Sequence, residues 1–168
     1  MNDADGNSAG RRTHGAPTNV LFDAWRVSRS VHRLIDVAIE ESGLDADEFA
    51  IYSVLASGDG LTPSELAHWM AAAPTTVSSY VKRFERRGHV SRIANAEDRR
   101  SYRVQLTAAG RAAHQHCGSL FAPVLAQTED ALGAHADAAH AQLRELLHAV
   151  DTVRDEYAEP TARRQPDR

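Results

Sequence analysis

Hydrophobic and polar residues follow a helical period along most of the chain. Between residues 20 and 41 the apolar positions fall on one side of a helix: Leu21, Trp25, Val31, Leu34, Ile35 and Ala38. This pattern predicts one long amphipathic helix, which Gly43 stops. Asp45 and Glu48 then have the spacing of a capping box. They predict the start of a second helix that ends near Gly58, and its nearly continuous apolar character indicates burial.

Residues 61–88 predict two shorter helices joined by a tight connector. Thr62, Pro63 and Glu65 form a complete helix start signal, with a cap, a proline at the first helical position and an acid three residues after the cap. Pro74 opens the next helix, and Gly88 ends it where a left-handed conformation is favoured. The apolar residues of the helix that Pro74 opens form a single stripe: Val77, Tyr80, Val81 and Phe84. The residues between them are short hydroxyls and one cation, which suit base edges and phosphates in a major groove.

Two short alternating runs follow, and they predict a β-hairpin. Val90 and Arg92 belong to the first run, and Val104 and Leu106 belong to the second. The segment between them, residues 95–101, is polar and typical of a turn, with two arginines at its tip. Two helices, a turn and such a wing form a compact reader of duplex DNA.

The segments LTPSELA and TVSSYVKRFERRGHV and the run Asp98-Arg99-Arg100, followed by Leu106-Thr107 and Gly110, resemble the MarR (multiple-antibiotic-resistance regulator) family of bacterial repressors. The resemblance covers about residues 20–155 and is densest over 61–110. It implies a mainly α (α+β) fold, in which a winged helix-turn-helix DNA-binding domain is combined with long dimerisation helices. It also implies a homodimer that binds double-stranded DNA at a palindromic operator.

The resemblance also implies which residues contact DNA. In the family the second helix of the motif reads the major groove, and a wing arginine, here Arg100, enters the minor groove. The predicted DNA-binding residues are Ser64, Thr75, Thr76, Ser78, Ser79, Lys82, Arg86, Arg99 and Arg100. The chain departs from many members at Ser79, where they have an arginine that can read guanine directly.

Charge is distributed unevenly along the chain. The formal net charge of −4 argues at first against nucleic acid. Between Lys82 and Arg103, however, eight Lys or Arg residues stand against three acids, which gives a local net charge of +5 and leaves −9 for the remainder. A basic reader in an acidic body is the pattern expected of a DNA-binding module with a separate dimerisation part.

Two further helices are predicted after the hairpin. Thr107 caps the first, which contains Pro123 and is expected to kink or break just before it, and Gly133 marks its end. The last helix spans about residues 136–157 and has a stripe of leucines and valines. The predicted organisation is a disordered arm (1–17), a dimerisation helix (18–43), the DNA-binding domain (44–107), dimerisation helices (108–158) and a disordered tail (159–168).

Other chemistries find less support in the sequence. His114, His116 and Cys117 cluster in one helix, with His135 and His140 beyond, but their spacing does not place three ligands on one face. We therefore predict no metal and no cofactor, although a metal-sensing regulator stays an alternative. Nothing basic except His114 lies within one turn of Cys117, so we predict no redox role for its thiol. No phosphate-binding loop, nucleophile elbow or pair of carboxylates indicates an enzyme.

Partners and location complete the expectations. No apolar run reaches the length of a membrane span, the start is not a signal peptide, and the single cysteine fits a cytoplasmic protein. The family commonly binds small aromatic or phenolic anions that release it from DNA. The residues that could line such a site are Trp25, Arg26, Arg29, His32 and Arg33. For Trp25, packing in a core or dimer interface is the favoured interpretation. A winged-helix module for protein–protein contacts is the other alternative function.

Overall fold

The computed structural model describes residues 19–95, 98 and 100–162. The helices are α1 (Val20–Ala38), α2 (Ala46–Ala56), α3 (Pro63–Trp69), α4 (Pro74–Arg86), α5 (Ala108–Leu132) and α6 (Ala136–Ala162). The strands are β1 (Val90–Ala94) and β2 (Tyr102–Leu106), and short 3₁₀ turns lie at Glu40–Ser42 and Gly133–His135. The predicted mainly α fold with a winged helix-turn-helix is confirmed. The arm predicted over residues 1–17 lies outside the described residues, as do residues 163–168 of the predicted tail.

Local signals in the sequence set the helix boundaries. At α2 the Asp45 carboxylate accepts from the Glu48 N–H at 2.8 Å, and the Glu48 carboxylate accepts from the Asp45 N–H at 3.3 Å. Thr62 and Glu65 form the same reciprocal box at α3, with distances of 3.2 and 2.7 Å. Gly88 has a φ of +71°, so the residue after α4 adopts the left-handed conformation that glycine favours. The two capping boxes and the glycine stop are therefore where the sequence predicts them.

The hairpin is a two-stranded antiparallel sheet. Val90 pairs with Leu106, and Arg92 pairs with Val104. Leu61, just before α3, adds an isolated bridge to Val104, with N–H···O distances of 2.7 and 3.1 Å. This bridge attaches the base of the wing to the helix-turn-helix.

The core of the DNA-binding domain is built around α2. The Tyr52 ring meets the Phe84 ring edge-on at 4.7 Å between centroids, which joins α2 to α4. The other buried side chains of this core are Phe49, Ile51, Leu55, Leu66, Val77, Val81, Val90, Val104 and Leu106. The burial of α2 agrees with the prediction made from its apolar character.

The chain divides into two compact units, one up to Gly118 and one from Ser119 onward. In the first unit, α1 has no buried residue and exposes a row of large apolar side chains. In the second, α6 continues to Ala162, beyond the start of the predicted tail at residue 159. A kink or a break was predicted just before Pro123, and α5 runs through this residue without a break. None of the described helices has both the length and the apolar character needed to cross a bilayer.

Candidate nucleic-acid interface

Helix α4 has a buried side and an outward side. Val77, Val81 and Phe84 are buried on the inward side. Because an α-helix turns by about 100° per residue, four residues at spacings of four, three and four lie on the opposite side. These are Thr75, Ser79, Lys82 and Arg86, and all four are exposed. We call this set the outward face of α4.

The other predicted residues of the motif lie beside that face. Thr76 and Ser78 are exposed on the two flanks of α4. Thr76 lines a small cavity of about 320 Å³ together with Trp69 and Tyr80. Ser64 lies at the start of α3 and is also exposed. The structure therefore brings four of the predicted residues onto one face of α4 and places Ser64 on a different helix.

The hydroxyl of Ser79 is partly used within the helix. Its Oγ donates to the carbonyl oxygen of Thr75 at 3.0 Å, one turn earlier. A hydroxyl has one hydrogen and two lone pairs, so Ser79 in this rotamer offers an acceptor to a base edge. A donor at this position requires the hydroxyl to rotate away from Thr75.

Two arginines of the basic segment are held by the hairpin and its surroundings. Arg92 forms a bidentate pair with Glu85, at 2.6 and 2.8 Å, and its guanidinium lies 4.4 Å from the centroid of the Tyr102 ring. The hydrogen bonds that Arg92 donates to Glu85 raise the pKa of Arg92. Arg103 donates to the carbonyl oxygen of Gly60 at 2.6 and 3.2 Å. These two cations stabilise the wing.

Two further arginines are held by the buried carboxylate of Glu48. Arg87 donates to one oxygen of that carboxylate at 2.8 Å, and Arg83 lies 2.9 Å from the other. Both arginines belong to the C-terminal end of α4 or follow it directly. The local charge of +5 thus overstates the number of cations that are available for DNA.

Among the described residues of the basic segment, the remaining cations are Lys82, Arg86 and Arg100. Within the part of the chain that the structure describes, no hydrogen bond or ion pair holds these three side chains, and all three are exposed. Free cations are those that can neutralise phosphates without first breaking a contact inside the protein. Lys82 and Arg86 lie on the outward face of α4, and Arg100 lies in the wing.

Asp98 shapes the turn that presents Arg100. Its carboxylate accepts from the Arg100 N–H at 2.9 Å, and its carbonyl oxygen accepts from the Ser101 N–H at 2.9 Å. An aspartate that bonds the backbone two residues later is a common turn device. Arg99, the other predicted wing residue, lies outside the described residues.

Sequence reasoning missed the supporting residues of this interface. Glu48 was predicted only as a helix cap, and Glu85, Arg92 and Asp98 were given no role in positioning. The spacing of Asp98 and Arg100 contains a usable signal, because aspartate often bonds the backbone two residues on. The pairs of Glu48 with Arg83 and Arg87 join residues far apart in the sequence, and no local pattern indicates them.

The residues considered for other chemistry have structural contacts. His114 Nε2 lies 3.1 Å from the Ser53 hydroxyl, and the ring packs against Phe49. Cys117 is buried, and its thiol donates to Ser42 Oγ at 3.1 Å. Among the residues that the structure describes, no group of three His, Cys, Asp or Glu side chains has an arrangement that could hold a metal.

The residues considered for an effector lie on α1. Arg29, His32 and Arg33 line an open cavity of about 550 Å³ together with Ser30 and Asp36. Trp25 is 62% exposed and lines a separate cavity with Asn19, Leu21 and Phe22. Trp25 is thus not a core residue of the monomer.

The proteins of similar sequence are all transcriptional regulators. A family model described as MarR family matches residues 44–102. The HTH-type transcriptional repressor Mb2911 of Mycobacterium bovis is 31% identical over 97 residues, which cover 58% of this chain and 68% of that protein. The transcriptional activatory protein BadR of Rhodopseudomonas palustris is 26% identical over 95 residues, and the match spans 55% of this chain and 54% of BadR.

Solved structures extend the similarity over most of the chain. The M. tuberculosis transcriptional regulator MosR, in complex with DNA, has a TM-score of 0.70 at 28% identity and covers 82% of this chain and 99% of that one. MarR from E. coli, in its apo form, has a TM-score of 0.64 at 24% identity, covering 79% of this chain and 97% of that one. The second likeness shows the fold alone.

Proposed function

The chain belongs to the MarR family of transcriptional regulators, and we propose that it is a homodimer that binds a palindromic operator and represses transcription. The relatives are regulators rather than enzymes, which confirms that the chain is not an enzyme. Repression is proposed because Mb2911 is named a repressor, although BadR is named an activator. A regulator works where the DNA is, so a cytoplasmic location belongs to the same proposal.

The observation that supports DNA reading best is the outward face of α4. It presents two hydroxyl side chains and two cations, and none of the arginine-holding carboxylates reaches those cations within the described residues. Hydroxyls serve base edges and phosphates, whereas Lys82 and Arg86 serve phosphates or guanine. We assign DNA contacts to the predicted set: Ser64, Thr75, Thr76, Ser78, Ser79, Lys82, Arg86, Arg99 and Arg100.

The homodimer is supported by apolar surface that the single chain leaves uncovered. On α1, Trp25, Val31 and Leu34 are between 45% and 62% exposed, and on α6 the side chains of Leu143 and Leu147 are more than half exposed. Patches of this kind mark interaction sites. We propose that residues 18–43 and 108–158 form the dimer interface and that residues 44–107 form the DNA-binding domain.

A twofold dimer places a demand on the operator. Two identical readers require two inverted half-sites, about 10 base pairs apart from centre to centre. Release by a small aromatic anion is a further part of the proposal. It is supported by the cavity on α1 where Arg29 and Arg33 supply positive charge.

The test begins with selection of bound fragments from a random DNA pool, which yields the operator. Inserting five base pairs between the half-sites puts them on opposite faces of the duplex, and we expect binding to fall by at least tenfold. Light scattering is expected to give the mass of a dimer at micromolar concentration. A folded monomer, or unchanged affinity after the insertion, contradicts the dimeric reader. Failure to select any DNA favours the protein–protein module, and binding that requires added metal favours the metal sensor.

A further inference from the structure

The buried carboxylate of Glu48 connects α2 to the reading helix. Glu48 is 1% exposed and lies in the first turn of α2. One of its oxygens accepts from Arg87 Nη1 at 2.8 Å and from the Asp45 N–H at 3.3 Å. The other oxygen lies 2.9 Å from Arg83 Nε. This second contact is an ion pair rather than a well-aligned hydrogen bond, because no hydrogen bond reaches that oxygen within the described residues.

The two arginines have secondary contacts that fix them further. The Arg83 guanidinium lies 4.7 Å from the centroid of the Tyr80 ring, and Arg83 also approaches Asp45 at 4.0 Å. Arg87 donates to the Glu48 carboxylate, and this hydrogen bond raises the pKa of Arg87. Both side chains are about a third exposed, so they lie at the protein surface and not deep inside it.

The position of these arginines on α4 determines what Glu48 controls. Arg83 follows Lys82, and Arg87 follows Arg86, so each held arginine lies about 100° around the helix from a free cation. Because the Glu48 carboxylate binds Arg83 and Arg87, which lie one turn apart, it resists rotation of α4 about its own axis. It also withholds two positive charges from any phosphate near the end of α4.

We propose that Glu48 is a specificity-determining residue, which favours operator over non-specific DNA by holding Arg83 and Arg87 away from phosphates and by fixing the rotation of α4. This inference rests on the proposed function of α4 as the DNA-reading helix. Phosphate contacts strengthen binding to every sequence, whereas base contacts discriminate between sequences. A residue that limits phosphate contacts and aligns base contacts therefore increases the preference for the operator over other DNA.

The direct test is Glu48→Gln, which keeps the shape of the side chain and removes its charge. Affinity is measured against salt concentration on the selected operator and on a scrambled duplex. We expect tighter binding to scrambled DNA, and a salt slope that is steeper by about one to two units because up to two arginines become free. The preference for the operator is expected to fall by about tenfold, which corresponds to one misaligned base contact.

Two controls separate this effect from lost stability. Ile51 lies on the same helix as Glu48 and is 2% exposed. Ile51→Val is therefore expected to lower the free energy of unfolding without releasing an arginine. We expect it to leave the salt slope and the operator preference unchanged. Adding Arg83→Gln and Arg87→Gln to Glu48→Gln is expected to return the salt slope to the wild-type value. Equal weakening on both DNAs with an unchanged slope, in Glu48→Gln, overturns the proposal.

A second variant covers the case in which Glu48→Gln does not fold. Arg83→Gln alone is expected to leave the salt slope unchanged, whereas Arg86→Gln lowers it by about one. An equal loss of slope in both variants overturns the inference about Glu48 but leaves DNA reading by α4 intact. If wild-type protein shows no preference for the operator and Arg86→Gln changes nothing, the proposed function itself fails.

Discussion

Thr107 donates its hydroxyl hydrogen to the carbonyl oxygen of Gly88 at 2.7 Å, and so joins the end of α4 to the start of α5. The Thr107 hydroxyl oxygen also accepts from the Gly110 N–H at 3.1 Å, and the Thr107 N–H donates to the carbonyl oxygen of His89 at 2.9 Å. Thr107 thus connects the end of α4, the start of β1 and the first turn of α5 through its own hydrogen bonds. This gives a physical reason for the Leu-Thr…Gly pattern that follows the wing.

Gly110 is expected to tolerate no side chain. A Cβ at this position would overlap the carbonyl oxygen of His89, which is backbone and has little freedom to move. We expect Gly110→Ala to lower the free energy of unfolding by about 1–3 kcal/mol, measured by urea denaturation. Gly118 lies in the same helix with no atom near its would-be Cβ, so Gly118→Ala is the matched control and is expected to raise stability by about 0.5–1 kcal/mol. Equal effects of the two substitutions would contradict this packing argument.

The sequence predicts most of the fold because its signals are local. The pairs Asp45–Glu48 and Thr62–Glu65 each lie within one turn, and their hydrogen bonds form as the spacing indicates. The end of α4 is likewise set by a local signal, because Gly88 adopts the left-handed conformation. The outward face of α4 follows from helical periodicity alone, once the buried stripe is recognised.

The sequence does not predict which cations are free. Eight basic residues between 82 and 103 look equivalent in a charge count. The contact of Glu48 with Arg87 spans 39 positions and that of Gly60 with Arg103 spans 43, so tertiary packing decides them. Helix α5 shows a second limit, because Pro123 removes one hydrogen-bond donor without breaking the helix.

The division between free and held cations predicts different salt effects. Arg86→Gln removes a free cation, so we expect weaker binding to both operator and scrambled DNA and a salt slope lower by about one unit. Arg92 is held by Glu85 in a bidentate pair, so Arg92→Gln is expected to leave the slope unchanged. Fluorescence anisotropy over a range of salt concentrations gives both slopes. A loss of slope in Arg92→Gln equal to that in Arg86→Gln would show that the pair with Glu85 opens on DNA.

Cys117 is expected to be unreactive in the folded protein. Burial raises the pKa of its thiol, which outweighs the opposing effect of the hydrogen bond with Ser42. Because the thiolate is the reactive form, we expect no labelling by iodoacetamide at pH 7 until the protein is unfolded, as judged by intact mass. Peroxide is expected to leave DNA binding unchanged in both wild type and Cys117→Ser. Peroxide-triggered release that disappears in Cys117→Ser would show that the thiol regulates the protein.

The final prediction separates the wing from the outward face of α4. Arg100 is exposed in the hairpin and has no side-chain partner among the described residues, and the minor groove that it is proposed to enter distinguishes little beyond A·T from G·C. We therefore expect Arg100→Ala to weaken binding on operator and scrambled DNA alike and to lower the salt slope by about one unit.

Ser79 is expected to behave in the opposite way, because it is proposed to face base edges and has no charge. Its hydroxyl donates to Thr75, so Ser79→Ala removes an acceptor and is expected to change the base preference by about 1 kcal/mol or less, with the salt slope unchanged. Ser78→Ala, on the flank of α4, is expected to change the base preference in the same way, because Ser78 belongs to the same proposed set of DNA contacts. Selection from random DNA with each variant reports the preference, and titration against salt reports the slope. If Arg100→Ala left binding to both DNAs unchanged, the wing would make no contact with DNA, and the assignment of Arg100 would be wrong even though α4 still reads the groove.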